Sequence, residues 1–192
     1  MMNADHERVE IASGPQLRRW FAKHHAQQES VWVVIWKKGH LGHVAYDDIV
    51  EECLCFGWID SQPRSLDASR SMLRLSPRRA TSAWSKKNKE RVERLVAAKQ
   101  MTRWGIARVE EAKRNGKWVH LDEVEALVVP RDLSAAFRAH PGAAREWKGF
   151  PRSVRRGILE WIAAARKPET RGKRVSETAA KAAQGIRANQ WR

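Results

Sequence analysis

The sequence predicts an α+β fold dominated by helix, with a small antiparallel sheet of about three strands in the N-terminal half and a helical C-terminal half. Two observations lead to this prediction. Short runs rich in β-branched and aromatic residues, which favour strands, lie at residues 31–36, 58–61 and 71–75. From Ser82 onward, apolar residues recur at helical spacing, and Pro residues separate successive segments.

The first helix is expected over residues 15–25. Pro15 suits its first turn, and Leu17, Trp20 and Phe21 fall on one face. The run that follows, Val-Trp-Val-Val-Ile-Trp, is apolar throughout and is therefore interpreted as a buried strand.

A second helix is expected from Asp47, as its N-cap, to Phe56. Residues 58–61 and 71–75 then predict two strands with a long connection between them, which suggests an antiparallel hairpin. Together with the apolar run before Asp47, this hairpin accounts for the three predicted strands.

Helices dominate the remainder of the chain. One is expected after Ser82, with Val92 and Leu95 on its inward stripe and most of its Lys and Arg residues outside it. Another begins at Thr102 and ends at Asn115, because Asn-Gly is a frequent helix stop. Three more helices are predicted near residues 131–139, 152–166 and 168–185.

The net charge of +15 is distributed unevenly. Residues 1–60 have six Lys and Arg against nine Asp and Glu, a net of −3, whereas residues 70–99 have ten against two, a net of +8. Residues 166–192 have eight against two, a net of +6. Such segregation favours a polyanionic partner, although solvated surface charge is the simpler alternative.

Composition also limits the class of protein. No stretch is long and apolar enough for a membrane span, and the N-terminus lacks the pattern of a secretory signal. Cys53 and Cys55 would point in nearly opposite directions on a helix, so neither a disulfide nor a shared metal site is expected. These features indicate a reduced, cytoplasmic protein.

Ten tryptophans are an unusual number for this length. Most are expected to be core anchors because Trp has a large apolar surface. A few could instead stack on bases beside Arg, as in proteins that bind single strands. Trp191 is expected either to pack back on the chain or to contact a partner.

The leading candidate site lies where the last predicted strand meets the helix after Ser82. There, Ser82 or Ser85 can cap the helix while basic residues approach its positive end, an arrangement that suits an anion. The alternative is an ordinary helix cap whose arginines pair with a carboxylate elsewhere. The candidate ligand-binding residues are Trp58, Asp60, Arg78, Arg79, Ser82, Trp84, Ser85, Lys86 and Asn88.

Asp60 is the most distinctive single carboxylate. It could orient Arg78, bind a ligand hydroxyl or act as a general acid or base. The alternative is a salt bridge with a structural role only. A second basic cluster could contact a phosphate backbone or simply be solvated. It comprises Arg166, Lys167, Arg171, Lys173 and Arg174.

No pattern of an enzyme or of a metal centre is complete. His40 and His43 lack nearby acidic or thiol ligands, and the Gly-x-Ser-x-Gly and Walker patterns are absent. We therefore expect no catalytic residues, no metal and no cofactor.

Several motifs resemble one known family. They are residues 55–60 (CFGWID), 76–79 (SPRR), 84–95 (WSKKNKERVERL), 101–102 (MT), 112–113 (AK), 116–118 (GKW) and 165–175 (ARKPETRGKRV). The chain is identified on this basis as resembling the YdeI/OmpD-associated family, whose C-terminal half is the OmdA domain. The resemblance implies a YdeI-like α+β domain over residues 1–125 and a helical OmdA-like domain over residues 126–192.

The resemblance also implies a role in bacteriocin protection, with links to cationic antimicrobial peptides and an outer-membrane porin, but no catalytic residues. Two departures from the family pattern are Lys99-Gln100, in place of Gly and a basic residue, and Arg103-Trp104, in place of Pro-Ala. The second adds a cation and an aromatic ring beside the basic segment.

Three functional hypotheses follow. The first is a non-enzymatic stress-protection protein that acts in the cytoplasm through a basic, Trp-bearing, anion-binding face, with nucleic acid as the foremost partner. The second is an enzyme or sensor for a small phosphorylated or carboxylated ligand bound near Asp60 and Arg78. The third is a protein-interaction module for an acidic partner.

Overall fold

A four-stranded mixed sheet organises the N-terminal half of the chain in the computed structural model, which describes residues 7–189. The strands are β1 (Arg8–Ile11), β2 (Val31–Trp36), β3 (Trp58–Ser65) and β4 (Arg70–Pro77). Their order is β1-β2-β4-β3; β1 is parallel to β2, and the other neighbours are antiparallel. The α+β fold is confirmed.

The prediction of about three antiparallel strands missed β1. This strand has only four residues, two of them charged, so it gives little apolar signal. It is parallel to β2 because a helix connects the two strands, and such a crossover returns the chain in the same direction. The sheet is therefore mixed, and β3 and β4 are also longer than predicted, with eight residues each.

Four helices share one core with this sheet. They are α1 (Gly14–His24), α2 (Tyr46–Phe56), α3 (Lys86–Ala97) and α4 (Arg103–Arg114). Helices α1 and α2 contact the strands, and α3 and α4 pack on α2. Their apolar stripes and the inward side chains of the strands form one continuous core. Ser13, Ser85 and Thr102 are the N-caps of α1, α3 and α4, and each side chain accepts a backbone N–H.

The predicted N-cap of α2 is wrong. Ala45 occupies that position without a side-chain hydrogen bond, and Asp47 lies inside the first turn. The helix starts earlier than expected, so the carboxylate of Asp47 is directed to cations of α3 instead of to its own backbone.

The junction of α2 and α4 is tightly packed. The carbonyl of Cys55 accepts hydrogen bonds from the Thr102 hydroxyl at 2.5 Å and the Thr102 backbone N–H at 3.2 Å. Gly105 lies directly against the same turn: a β-carbon there would be 2.4 Å from the oxygen of Cys55. This contact fixes α4 against the end of α2.

The second half of the described chain is helical. Its elements are α5 (Asp122–Glu125), α6 (Arg131–Ala139), α7 (Ala143–Gly149), α8 (Arg152–Ala163) and α9 (Pro168–Ala183). Helix α9 packs against α6, α7 and α8. The chain divides into two units, Met1–His120 and Leu121–Arg192. Trp191 lies outside the described residues, and no helix within residues 7–189 has the length and hydrophobicity to cross a membrane.

Candidate anion-binding site

Arg78 is buried in the loop that connects β4 to α3. Arg78 is only 3 % exposed, and its guanidinium carbon lies 3.9 Å from the centre of the Trp84 ring. Nη1 donates to the carbonyl of Ala83 at 3.2 Å, and the backbone N–H donates to Gly57 at 3.0 Å. The loop therefore encloses a cation next to the start of α3.

Within residues 7–189, no carboxylate forms an ion pair with this guanidinium. Among the described residues, the buried Nε of Arg78 has no hydrogen-bond partner. Burial lowers the pKa of Arg78 to about 10, opposed by the nearby Cys53 and Asp60. Arg78 thus stays charged at neutral pH in a desolvated position.

Asp60 lies near Arg78 but bonds to a different residue. Its Oδ2 accepts a hydrogen bond from the Tyr46 hydroxyl at 2.5 Å. Burial, and then the hydrogen bond to Asp60, raise the pKa of Tyr46 to about 12. The structural alternative considered for Asp60, a salt bridge to Arg78, does not form among the described residues.

Much of the predicted basic face of α3 is paired with α2. Asp47 accepts from Lys87 at 3.3 Å and also from Arg91, while Glu51 accepts from Arg94 at 2.7 Å. The acidic charge of the first 60 residues is therefore used in part to neutralise the basic charge of residues 70–99.

The cations at the start of α3 are less committed. Arg79 is exposed and makes no ion pair within the described chain. Lys86 makes one long ion pair, with 3.9 Å between its Nζ and a carboxylate oxygen of Glu90. Ser85 caps the helix, and Asn88 donates its backbone N–H to that cap while its side-chain oxygen accepts from Arg91 at 2.7 Å. Arg79 and Lys86 are thus available to a ligand, whereas Ser85 and Asn88 are engaged in holding the helix.

Two candidate tryptophans are core residues. Trp58 and Trp84 are each 1 % exposed, and Trp58 donates its Nε1–H to the carbonyl of His25 at 2.9 Å. Trp84 supports the guanidinium of Arg78 on one side and packs near Trp118 on another. Their buried rings position Arg78 and the strand, and they are not accessible to a stacked base. Ser82, half-buried in the same loop, is not the helix cap.

The second basic cluster, like the segment at the start of α3, contains both engaged and exposed cations. Arg171 forms a two-pronged pair with Asp132 at 2.7 and 3.1 Å, and Arg174 donates to the carbonyl of Trp161 and lies over its ring. The remaining members, Arg166, Lys167 and Lys173, are exposed and form no ion pair in the described part of the chain.

The first unit contains a cavity of about 310 Å³ that the sequence did not predict. The Nδ1 of His25 lies 3.2 Å from the carbonyl of Phe21, which can only accept, so Nδ1 donates this hydrogen bond. No sequence signal marked this site, because its walls come from four separate segments. They include His25, Gln27, Phe56, Trp58, Trp104 and Arg108.

The cysteines are unsuited to nucleophilic chemistry. Burial raises the pKa of Cys53 well above its usual value and that of Cys55 to about 11, so both stay protonated at neutral pH. Among residues 7–189, no group of three or more His, Cys, Asp and Glu is arranged to hold a metal ion.

Comparison with known families finds two separate matches along the chain. Residues 9–108 match a family described as a domain of unknown function (DUF8412), and residues 126–185 match the family described as "Bacteriocin-protection, YdeI or OmpD-Associated" (OmdA). The first match spans half of the chain, which therefore belongs to the DUF8412 family and has an OmdA domain in its second half. No curated protein and no solved structure matches the chain.

The predicted YdeI/OmpD-associated resemblance is confirmed over residues 126–185. The motifs quoted from residues 55–102 fall instead within the domain of unknown function. The predicted boundaries, 1–125 and 126–192, stay a prediction.

Proposed function

We propose that this chain is a non-enzymatic protection protein of the YdeI type that acts in the cytoplasm by binding an anionic partner, with nucleic acid as the foremost candidate. The OmdA match supports the protective role in general terms. The observation that supports anion binding is the buried guanidinium of Arg78, which has no carboxylate partner among the described residues.

An unpaired buried charge is costly. Removing an ion from water into the protein interior costs on the order of several kcal/mol. The contacts of Arg78 with one carbonyl and one ring offset only part of this cost. A phosphate or carboxylate oxygen beside the guanidinium would supply the missing counter-charge, and Arg favours such two-pronged contacts. Arg79 and Lys86 would attract the same anion from solution.

The first test is a titration of fluorescein-labelled single- and double-stranded DNA with the purified protein, followed by anisotropy at two salt concentrations. We expect micromolar or tighter binding that weakens steeply with salt, because phosphate contacts release counter-ions. The double variant Arg79→Gln/Lys86→Gln should bind roughly fivefold more weakly.

A matched control is Arg19→Gln/Lys23→Gln, which removes two exposed cations from α1. Its affinity should fall much less. The absence of binding to either DNA at low salt would exclude nucleic acid, and equal losses in the two variants would exclude the site.

The cavity favours a second candidate, a sensor or enzyme for a small phosphorylated or carboxylated ligand. Arg108, which also pairs with Glu111 at 2.8 Å, supplies a cation to its wall, and His25 supplies an imidazole ring. A ligand present at 100 times its Kd would stabilise the folded protein by about 2.7 kcal/mol. A thermal-shift screen of phosphometabolites and carboxylates should then give a hit that Arg108→Met removes, whereas an inert panel would contradict this candidate.

A further inference from the structure

The face of the sheet opposite the helices combines tryptophans and arginines. Directly opposed residues on neighbouring strands point to the same side of a sheet, and the register pairs Trp32 with Arg74 and Trp36 with Arg70. On the other neighbour of β2, strand β1, Arg8 is also paired with Trp32. We call this surface the outer sheet face, defined by Arg8, Trp32, Trp36, Arg64, Arg70 and Arg74.

This face is separate from the main core. Val31, Val33 and Leu73 point to the helices, whereas Trp32 belongs to a small cluster with Val34, Met72 and Leu66. No residue of α1 to α4 is a member of that cluster. The four helices therefore leave the outer sheet face without a helical layer of their own.

Two arginines of this face lie against its tryptophans. The guanidinium carbon of Arg64 is 4.9 Å from the centre of the Trp32 ring, and that of Arg70 is 5.8 Å from the centre of the Trp36 ring. Arg74 donates to the hydroxyl of Ser30 at 3.3 Å, and its buried Nε has no hydrogen-bond partner in residues 7–189.

The charge of the outer sheet face is not balanced. Arg70 pairs with Glu10 and Asp67. Arg8, Arg64 and Arg74 form no ion pair within the part of the chain that the structure describes. This contrasts with α3, where acidic residues of α2 neutralise several cations.

We propose that the outer sheet face binds single-stranded nucleic acid. Arg8, Arg64 and Arg74 contact successive phosphates, while two bases stack on Trp32 and Trp36. Cationic grooves with interleaved aromatic rings are the general means of binding single strands, and the bases of a duplex are unavailable because they stack on each other.

Binding requires side chains that now cover the rings to move. Trp32 is 8 % exposed beneath Arg64, which is itself exposed, and the half-buried Trp36 stacks on exposed His40 with ring centres 3.8 Å apart. Contacts of exposed cations with aromatic rings are weaker than the stacking of a base, so the exchange favours the bound strand. Arg64 and His40 then become free to contact phosphates.

This inference rests on the proposed function because both require an anionic partner, but it names the strand type and a different surface. The test uses a labelled oligothymidylate and a duplex of equal length, titrated with the full chain. The triple variant Arg8→Gln/Arg64→Gln/Arg74→Gln should bind the single strand roughly tenfold or more weakly. Its salt dependence, as the slope of log K against log salt, should fall by about 2.

The matched control is Arg19→Gln/Lys23→Gln/Arg114→Gln, which removes the same charge from α1 and α4, on the core side of the sheet. It should keep most of the affinity and slope. Equal losses in the two triple variants, or duplex binding as tight as single-strand binding, would overturn the outer sheet face as the site.

The stacking contribution has its own variant pair. Trp36→Leu should weaken single-strand binding roughly fivefold or more, and Trp36→Tyr should restore most of it, since a tyrosine ring also stacks. Equal affinity of the leucine and tyrosine variants, with both folded by circular dichroism, would contradict stacking. If no DNA binds the wild-type chain, the proposed nucleic-acid function itself fails; if binding depends on Arg79 and Lys86 alone, only this inference fails.

Discussion

Gly105→Ala is expected to lower the free energy of unfolding of the first unit by about 3 kcal/mol, near the upper end of the usual cost of overpacking. The added β-carbon would lie 2.4 Å from the oxygen of Cys55 and 2.5 Å from that of Leu54. Both are backbone atoms of a helix end, so neither can yield without moving α2 or α4. Urea denaturation followed by tryptophan fluorescence measures the change.

Gly14→Ala is the control in the same unit. Gly14 is the first residue of α1, and a β-carbon there would meet nothing within 4 Å. Its unfolding free energy should change by no more than about 0.5 kcal/mol. A Gly105→Ala variant as stable as this control would show that α4 does not pack on α2 as described.

Arg78→Met is expected to stabilise the ligand-free protein by about 1 kcal/mol or more while removing its response to anions. Methionine keeps an unbranched side chain against Trp84 without the desolvated charge. Replacing buried ionic groups by apolar ones of similar volume is often stabilising by about 1–4 kcal/mol. Denaturation with and without inorganic phosphate measures both effects.

The sign of the change in unfolding free energy separates an unpaired Arg78 from an Arg78 that is held by a carboxylate. If Arg78 were held by a carboxylate, its removal would leave a buried charge unpaired and cost about 3–5 kcal/mol. A destabilised Met variant would therefore reject the unpaired guanidinium. Equal stabilisation of the wild type and the variant by phosphate would reject anion binding at this residue.

The sequence was a good guide to elements with a strong apolar period. The stripe of Val92 and Leu95 predicted α3, and the apolar run of β2 predicted a buried strand; both are present. It was a poor guide to β1, which is stabilised by pairing with β2 and not by its own composition. Tertiary pairing also extended β3 and β4 beyond their apolar segments.

The candidate site was predicted as a basic segment, but its geometry could not be. Arg78 and Arg79 are adjacent and identical in type, yet one is 3 % exposed and the other faces solvent. In the folded loop, the guanidinium of Arg78 lies against the buried ring of Trp84, with its carbon 3.9 Å from the ring centre. The cavity beside His25 was missed because its walls assemble from distant segments.

The sequence by itself determined the helix-dominated α+β class, the concentration of positive charge and the OmdA resemblance, because these depend on local composition, periodicity and motif. Only the tertiary structure decided which charges remain without a counter-ion. Arg91 is paired with Asp47 across 44 positions, whereas Arg74 is left beside Trp32 on the sheet. Ion pairing and burial depend on distances in space, and the fold alone sets those distances.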